Sequence, residues 1–129
     1  MFYYAKSFNG NLSNFNTARV LYMDDMFAFA TSFNGDLSNF DTSSVTDMRL
    51  MFQGASLFNQ DVSNFNTSSV NRMNMMFYGA TSFDQDLCDW QDTFPYIAYD
   101  DIFTNSGCTY QDTPNETQKG PFCSSNCQS

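Results

Sequence analysis

Hydrophobic and polar positions recur along this chain with a fixed period. Met1-Phe2, Met26-Phe27, Met51-Phe52 and Met76-Phe77 each open the same stretch, M-F-x-x-A-x-x-F followed by Asn or Asp, so the pattern returns every 25 residues. In register the units are MFYYAKSFNGNLSNFNTARVLYMDD, MFAFATSFNGDLSNFDTSSVTDMRL, MFQGASLFNQDVSNFNTSSVNRMNM and the degenerate MFYGATSFDQDLCDWQDTFPYIAYD. A fifth unit begins at Ile102 and Phe103 and then loses the pattern. Units of this length bury their apolar faces only against neighbouring units, so the period outranks any local propensity.

Within the model unit, Val45, Met48, Met51, Phe52 and Ala55 fall at steps of 3, 3, 1 and 3, the spacing of one face of an α-helix. Thr42, Ser43 or Ser44 is placed to cap its start, Asp47 resembles the acid of a capping box, and Gly54 is a stop. After the helix come Phe33, Phe58 or Phe83, a turn such as Asn34-Gly35, and a short segment, Asp36 to Phe40, that reads as a strand. The predicted fold class is α/β: a leucine-rich-repeat-like solenoid with one short parallel strand and one helix per repeat. It occupies residues 1–103, and residues 104–129 form a disulfide-rich C-terminal cap. Stacked strands make equivalent residues neighbours, which predicts ranks of Asn14, Asn39 and Asn64 and of Ser13, Ser38 and Ser63. The Met and Phe ranks are core material. Trp90 replaces Phe15, Phe40 and Phe65 in the last full unit, widening the core there.

Charge narrows the partners. Thirteen Asp and one Glu against five basic residues give a net charge of −9, which disfavours nucleic acid and anionic lipid. The absence of histidine removes the commonest general base and metal ligand, and no enzymatic constellation stands out. Asp24-Asp25 and Asp100-Asp101 are adjacent acids, and adjacent residues rarely converge on one substrate. No apolar run reaches the length of a membrane span.

All four cysteines, Cys88, Cys108, Cys123 and Cys127, lie in the last third, which points to disulfides in an oxidising compartment. Three pairings remain open, beside free thiols and a zinc site of unfavourable spacing. The chain lacks a signal peptide at its start while Met1 falls in phase with the later repeats, so a longer protein with its secretory signal upstream is expected. Met1, Phe2, Phe8, Leu12, Phe15 and Val20 would then form an apolar end that needs either upstream sequence or association.

The pattern M-F-x-G-A-x-x-F-N-x-D-L-S-N-F-D-T-S-S-V-T-D-M, carried by Met51 to Met73 and its neighbours, resembles the BspA-like surface-protein repeats, relatives of the leucine-rich repeats. The likeness covers residues 1 to about 103, with Phe at Phe15, Phe40 and Phe65 where the family usually has Trp. It implies an extracellular solenoid used in adhesion or recognition and assigns no binding residue.

Asp36, Asp61 and Asp86, with Asn11 below them, should form a carboxylate rank, either solvated and bonded to backbone or holding calcium. Asn11, Asn66 and Asn115 head glycosylation sequons. The unit positions that vary are the pairs Tyr3-Tyr4, Ala28-Phe29, Gln53-Gly54 and Tyr78-Gly79, and selective contacts should use such turns or the cap. The expected function is a non-catalytic extracellular or cell-surface interaction module that binds a protein or glycan without a cofactor. The alternative is a structural subunit of a larger assembly, docking through its open N-terminal end.

Overall fold

The computed structural model describes residues 2–96 and 100–127. Met1, the first residue of the repeat pattern and of the expected apolar end, lies outside them. The 25-residue period is realised as a column of coils, each lying flat on the next. Coil 1 takes residues up to 25, coils 2, 3 and 4 take 26–50, 51–75 and 76–100, and a fifth, irregular coil follows.

The predicted α/β solenoid does not form. Among the described residues there is no α-helix and no sheet, only a single 3-10 turn at Cys88–Trp90 and isolated bridges. The segment read as a helix is a chain of β-turns. The N–H groups of Val45, Met51, Gln53, Ala55 and Phe58 donate to the carbonyls of Thr42, Met48, Leu50, Phe52 and Ala55, each closing a four-residue turn at 3.0–3.4 Å. Apolar residues three apart mark the two ends of a β-turn as well as one face of a helix, because both geometries bring them together. The segment read as a strand obeys the same rule: the Phe40 N–H donates to the Leu37 carbonyl at 3.0 Å.

A left-handed residue stands at the third position of two of these turns in coils 1, 2 and 3, and of one in coil 4, among the described residues. Asp25, Leu50 and Met75 occupy one rank (φ 58°, 59° and 59°), and Tyr4, Phe29, Gly54 and Gly79 the other (φ 59°, 59°, 66° and 74°). Each such residue reverses the local winding, which is why Gly54 marks a corner and not a helix end.

The coils are joined by backbone. The N–H groups of Met23, Asp25, Phe27 and Phe29 donate to the carbonyls of Asp47, Arg49, Met51 and Gln53 at 2.7–3.0 Å, and Met48, Leu50, Phe52 and Gly54 donate likewise to Arg72, Asn74, Met76 and Tyr78, each one coil further on. The parallel bridges Tyr22 to Asp47 and Asp47 to Arg72 fall in this same segment, not in the one read as a strand. Thr42 is no helix cap either. It is buried, receives the Asn66 N–H at 2.7 Å and donates its hydroxyl to the Asn66 carbonyl at 3.2 Å, as Thr17 does to Asp41. The Asn14 rank does fasten coil to coil, Asn39 and Asn64 donating to the carbonyls of Ser13 and Ser38 at 2.8 and 3.1 Å. A second rank, Asn9, Asn34, Asn59 and Asp84, lends a side-chain oxygen to the backbone N–H of its successor at 2.9–3.1 Å, ending on Thr109.

Two columns of phenyl rings fill the interior. Phe2, Phe27, Phe52, Phe77 and Phe103 follow one another at 5.4–5.9 Å, and Phe8, Phe33, Phe58 and Phe83 at 5.6–5.9 Å. Within each coil the two columns touch face to face at 4.0–4.2 Å. Met and Ala complete the core, which is continuous from Leu12 to Cys123.

Coil 5 keeps this plan one residue late: Met75, Phe77 and Gly79 donate to Asp100, Ile102 and Thr104, and left-handed residues follow at Asp101 and Asn105. The chain then returns over coil 4. Ser124 donates to the Gln85 carbonyl and Leu87 to that of Phe122, whose buried ring meets Phe94 edge-on at 5.1 Å. Two disulfides, Cys88–Cys127 and Cys108–Cys123, fasten this return. Trp90 is 1% exposed, and its indole N–H has no hydrogen-bond partner among the described residues.

The glycine rank gives a direct test of the corner geometry. A Cβ on Gly54 would meet Cδ1 and Cε1 of the Phe29 ring at 2.6 and 2.8 Å, whereas on Gly79 its nearest neighbours are backbone atoms of Gly54 at 3.7 Å. Gly79→Ala should therefore cost only the left-handed strain, about 1–2 kcal/mol, and Gly54→Ala roughly 1 kcal/mol or more beyond that. Denaturant midpoints that place the two variants in the opposite order would remove the ring from this corner.

Candidate functional site

Side chains that repeat in every coil are consumed by the stack, so a site must be sought where coils differ. Asp36, Asp61 and Asp86 are exposed on one edge of successive coils, and each takes the N–H of the residue two further on, Ser38, Ser63 or Cys88, at 2.8–2.9 Å. Asn11 does the same with Ser13 at 2.8 Å. The backbone N–H and hydroxyl of Ser38 hold the Asp36 carboxyl below the usual carboxylate range. The three acids do not converge: among the described residues, the group with three candidate ligand atoms within 4.8 Å is Asp84, Cys108 and Cys123, and both of its sulfurs are bonded to each other. Asn11, Asn66 and Asn115 are all exposed, and each accepts the N–H of the Ser or Thr two residues on, Ser13, Ser68 or Thr117.

The corner rank at Tyr4, Phe29, Gly54 and Gly79 is different. Coils 3 and 4 carry glycine, the residue suited to positive φ, while coils 1 and 2 hold aromatic residues in the same strained conformation. Tyr4 lies on Phe29 with centroids 4.7 Å apart and planes 15° apart, and Phe29 in turn covers the bare backbone of Gly54. Tyr3 stands at right angles to Tyr4, centroids 4.5 Å apart. In this first coil Tyr3 and Tyr4 are 54% and 51% exposed, and Phe29 is half-buried. Ranking the four units against one another flagged these pairs as variable; their assembly into one aromatic corner required the stacking register.

One acid, Asp25, acts on this corner through Tyr3. The Tyr4 N–H donates to the Ala28 carbonyl, and the Ala28 N–H to the carbonyl of Asp25. Desolvation by its surroundings and the charge of Asp24 push the Asp25 carboxyl above its usual range, against the pull of Arg49. Desolvation, then Tyr4, then the Asp25 charge raise the Tyr3 phenol. Arg49 itself is taken by Asp47, whose carboxylate accepts its Nε and Nη2 at 2.7–3.1 Å. Desolvation raises the Asp47 carboxyl, but the Arg49 side chain and backbone N–H together bring it below the usual range.

A second uncovered surface lies on coil 1. Phe15 is 38% exposed where Phe40, Phe65 and Trp90 are 4% or less, and Leu21 and Tyr22 are 50% and 66% exposed. A cavity of about 200 Å³ opens there between Phe15, Val20, Met23 and Met26. No helix among the described residues is long and apolar enough to cross a membrane.

No curated protein and no solved structure matches this sequence. A family model described as a Mycoplasma protein of unknown function, DUF285, matches residues 1–115, running through the four regular coils and past the fifth. The chain therefore belongs to the DUF285 family.

Proposed function

We propose that the chain is a non-catalytic interaction module of the cell exterior, which contacts its partner through the aromatic corner of coils 1 and 2. The observation that carries this reading is the aromatic pair Tyr4 and Phe29, stacked at 4.7 Å and held left-handed where coils 3 and 4 use glycine. Strain kept by aromatic residues, with a glycine alternative present at the same rank of the same chain, supports a residue retained for contact. Two disulfides suit an oxidising exterior, and the likeness to BspA-like surface repeats supports the same compartment.

Replacing both residues by glycine tests it. Relief of left-handed strain, about 1–2 kcal/mol per residue, offsets the lost ring stacking, about 0.5–1.5 kcal/mol per pair. The Tyr4→Gly, Phe29→Gly variant should therefore fold with little change in thermal midpoint and release the matrix protein or glycan that the parent retains on an array. A parent that retains nothing, or a variant that retains the same partner equally, would overturn the assignment.

A further inference from the structure

We propose that Asn66 carries an N-linked oligosaccharide. This rests on the exterior placement of the interaction-module reading, because the transfer that builds the linkage belongs to a secretory route. Asn66-Thr67-Ser68 has the acceptor pattern, an asparagine with a hydroxyl residue two positions on. Three residues alone decide little, and the structure adds what the asparagine is used for.

The fold uses only the oxygen of the Asn66 side chain. Its Oδ1 accepts the Ser68 N–H at 3.0 Å and the Ser68 hydroxyl at 2.6 Å. The backbone is fixed separately, the Asn66 N–H donating to Thr42 Oγ1 at 2.7 Å and the carbonyl accepting the same hydroxyl at 3.2 Å. Nδ2 makes no hydrogen bond among the described residues, and Asn66 is exposed while Thr67 beside it is buried.

Equivalent coils show that this nitrogen is spare. Asp41, one coil earlier, accepts the same two bonds from Ser43 at 3.0 and 2.6 Å with a carboxylate, which has no nitrogen. Asn16, a further coil back, accepts the Ala18 N–H at 3.1 Å, and alanine brings no hydroxyl. Asn39 and Asn64, in contrast, donate Nδ2 to the carbonyls of Ser13 and Ser38, and neither heads an acceptor pattern. Of Asn16, Asp41 and Asn66, the last alone joins a free amide nitrogen to a hydroxyl in the third place.

In the transfer a bond forms between Nδ2 and the anomeric carbon of a lipid-pyrophosphate-linked oligosaccharide. The bond from that carbon to the pyrophosphate oxygen breaks, the lipid pyrophosphate leaves with the electron pair, and one Nδ2 proton passes to a base of the transferase. The product amide keeps Oδ1 and one N–H, so both Ser68 bonds survive and the coil is undisturbed. A bulky, hydrated chain there keeps partner surfaces off the turn at 66–68.

Trypsin, cutting after Arg49 and Arg72, isolates the site on peptide 50–72. From the full chain recovered from its own organism, this peptide should carry the added mass of an oligosaccharide, and enzymatic release in heavy-oxygen water should convert Asn66 to a labelled Asp. An unmodified Asn66 would overturn the proposal, and retention of the array partner by that same protein would leave the interaction-module reading standing. In cells that perform the transfer, secreted Asn66→Asp should lose the added mass. Made without the transfer, the same variant should match the parent in thermal midpoint, as the carboxylate of Asp41 serves its own turn. Added mass that persists on peptide 50–72 in Asn66→Asp would place the oligosaccharide on a hydroxyl and overturn the assignment.

Discussion

Phe58→Ala is expected to cost about 3–5 kcal/mol, a large share of the stability of a domain this size. The ring is fully buried and has a partner on every side: Phe52 in its own coil at 4.1 Å, Phe33 below at 5.8 Å and Phe83 above at 5.9 Å. Rigid stacks of rings cannot close over a missing member, because backbone bonds hold coils 2, 3 and 4 at fixed spacing, so the cavity persists. Position in the column should matter as much as chemistry. In a quasi-one-dimensional stack, an internal coil contributes two interfaces and a terminal one contributes a single interface. Phe8, only partly buried and stacked, among the described residues, on Phe2 and Phe33, should lose roughly half as much on the same substitution in this chain. Urea unfolding followed by circular dichroism decides the matter. Equal losses at Phe8 and Phe58 would mean that the two columns do not transmit packing from coil to coil.

Removal of both disulfides is the second large effect. Cys108–Cys123 spans 15 residues and Cys88–Cys127 spans 39. Chain-entropy arguments give about 3 kcal/mol for the first and about 4 kcal/mol for the second. The nested loops share residues 108–123, so the joint effect should fall short of the sum. The consequence is local before it is global. Phe122 and the returning segment lie on Leu87, Phe94 and the edge of coil 4, close to the buried Trp90. Reduction should release this return first, raising Trp90 fluorescence sensitivity to quencher and amide exchange in 85–87 while coils 2 and 3 stay protected. A reduced chain that keeps Trp90 shielded and its midpoint unchanged would show that packing, not the bridges, holds the cap.

Much of this was legible in the sequence and some was bound to mislead. Apolar residues at steps of three were rightly placed in the core, and Val45, Met48, Met51, Phe52 and Ala55 are all fully buried. Their conformation was misread because a helix face and a run of β-turns share that spacing. The missing clue is the left-handed rank at Asp25, Leu50 and Met75, where no glycine announces positive φ. Asn11, Asp36, Asp61 and Asp86 were legible as turn formers, since short acids and amides bond backbone two residues away. The aromatic corner was harder. Tyr4 and Phe29 are 25 residues apart, and only the register of the stack shows that one ring lies on the other.

By itself the sequence determined the period, the number of regular coils, the ranks that face inward and the acidity of the surface, because each follows from composition and spacing. Tertiary structure decided the rest. Backbone bonds from each coil to the next, such as Asp25 to Arg49 and Leu50 to Asn74, stabilise residues with no intrinsic taste for left-handed geometry, and so select turns over helix. The same stacking chose one cysteine pairing from three, by bringing Cys127 back to Cys88 and Cys123 to Cys108 across the end of the column.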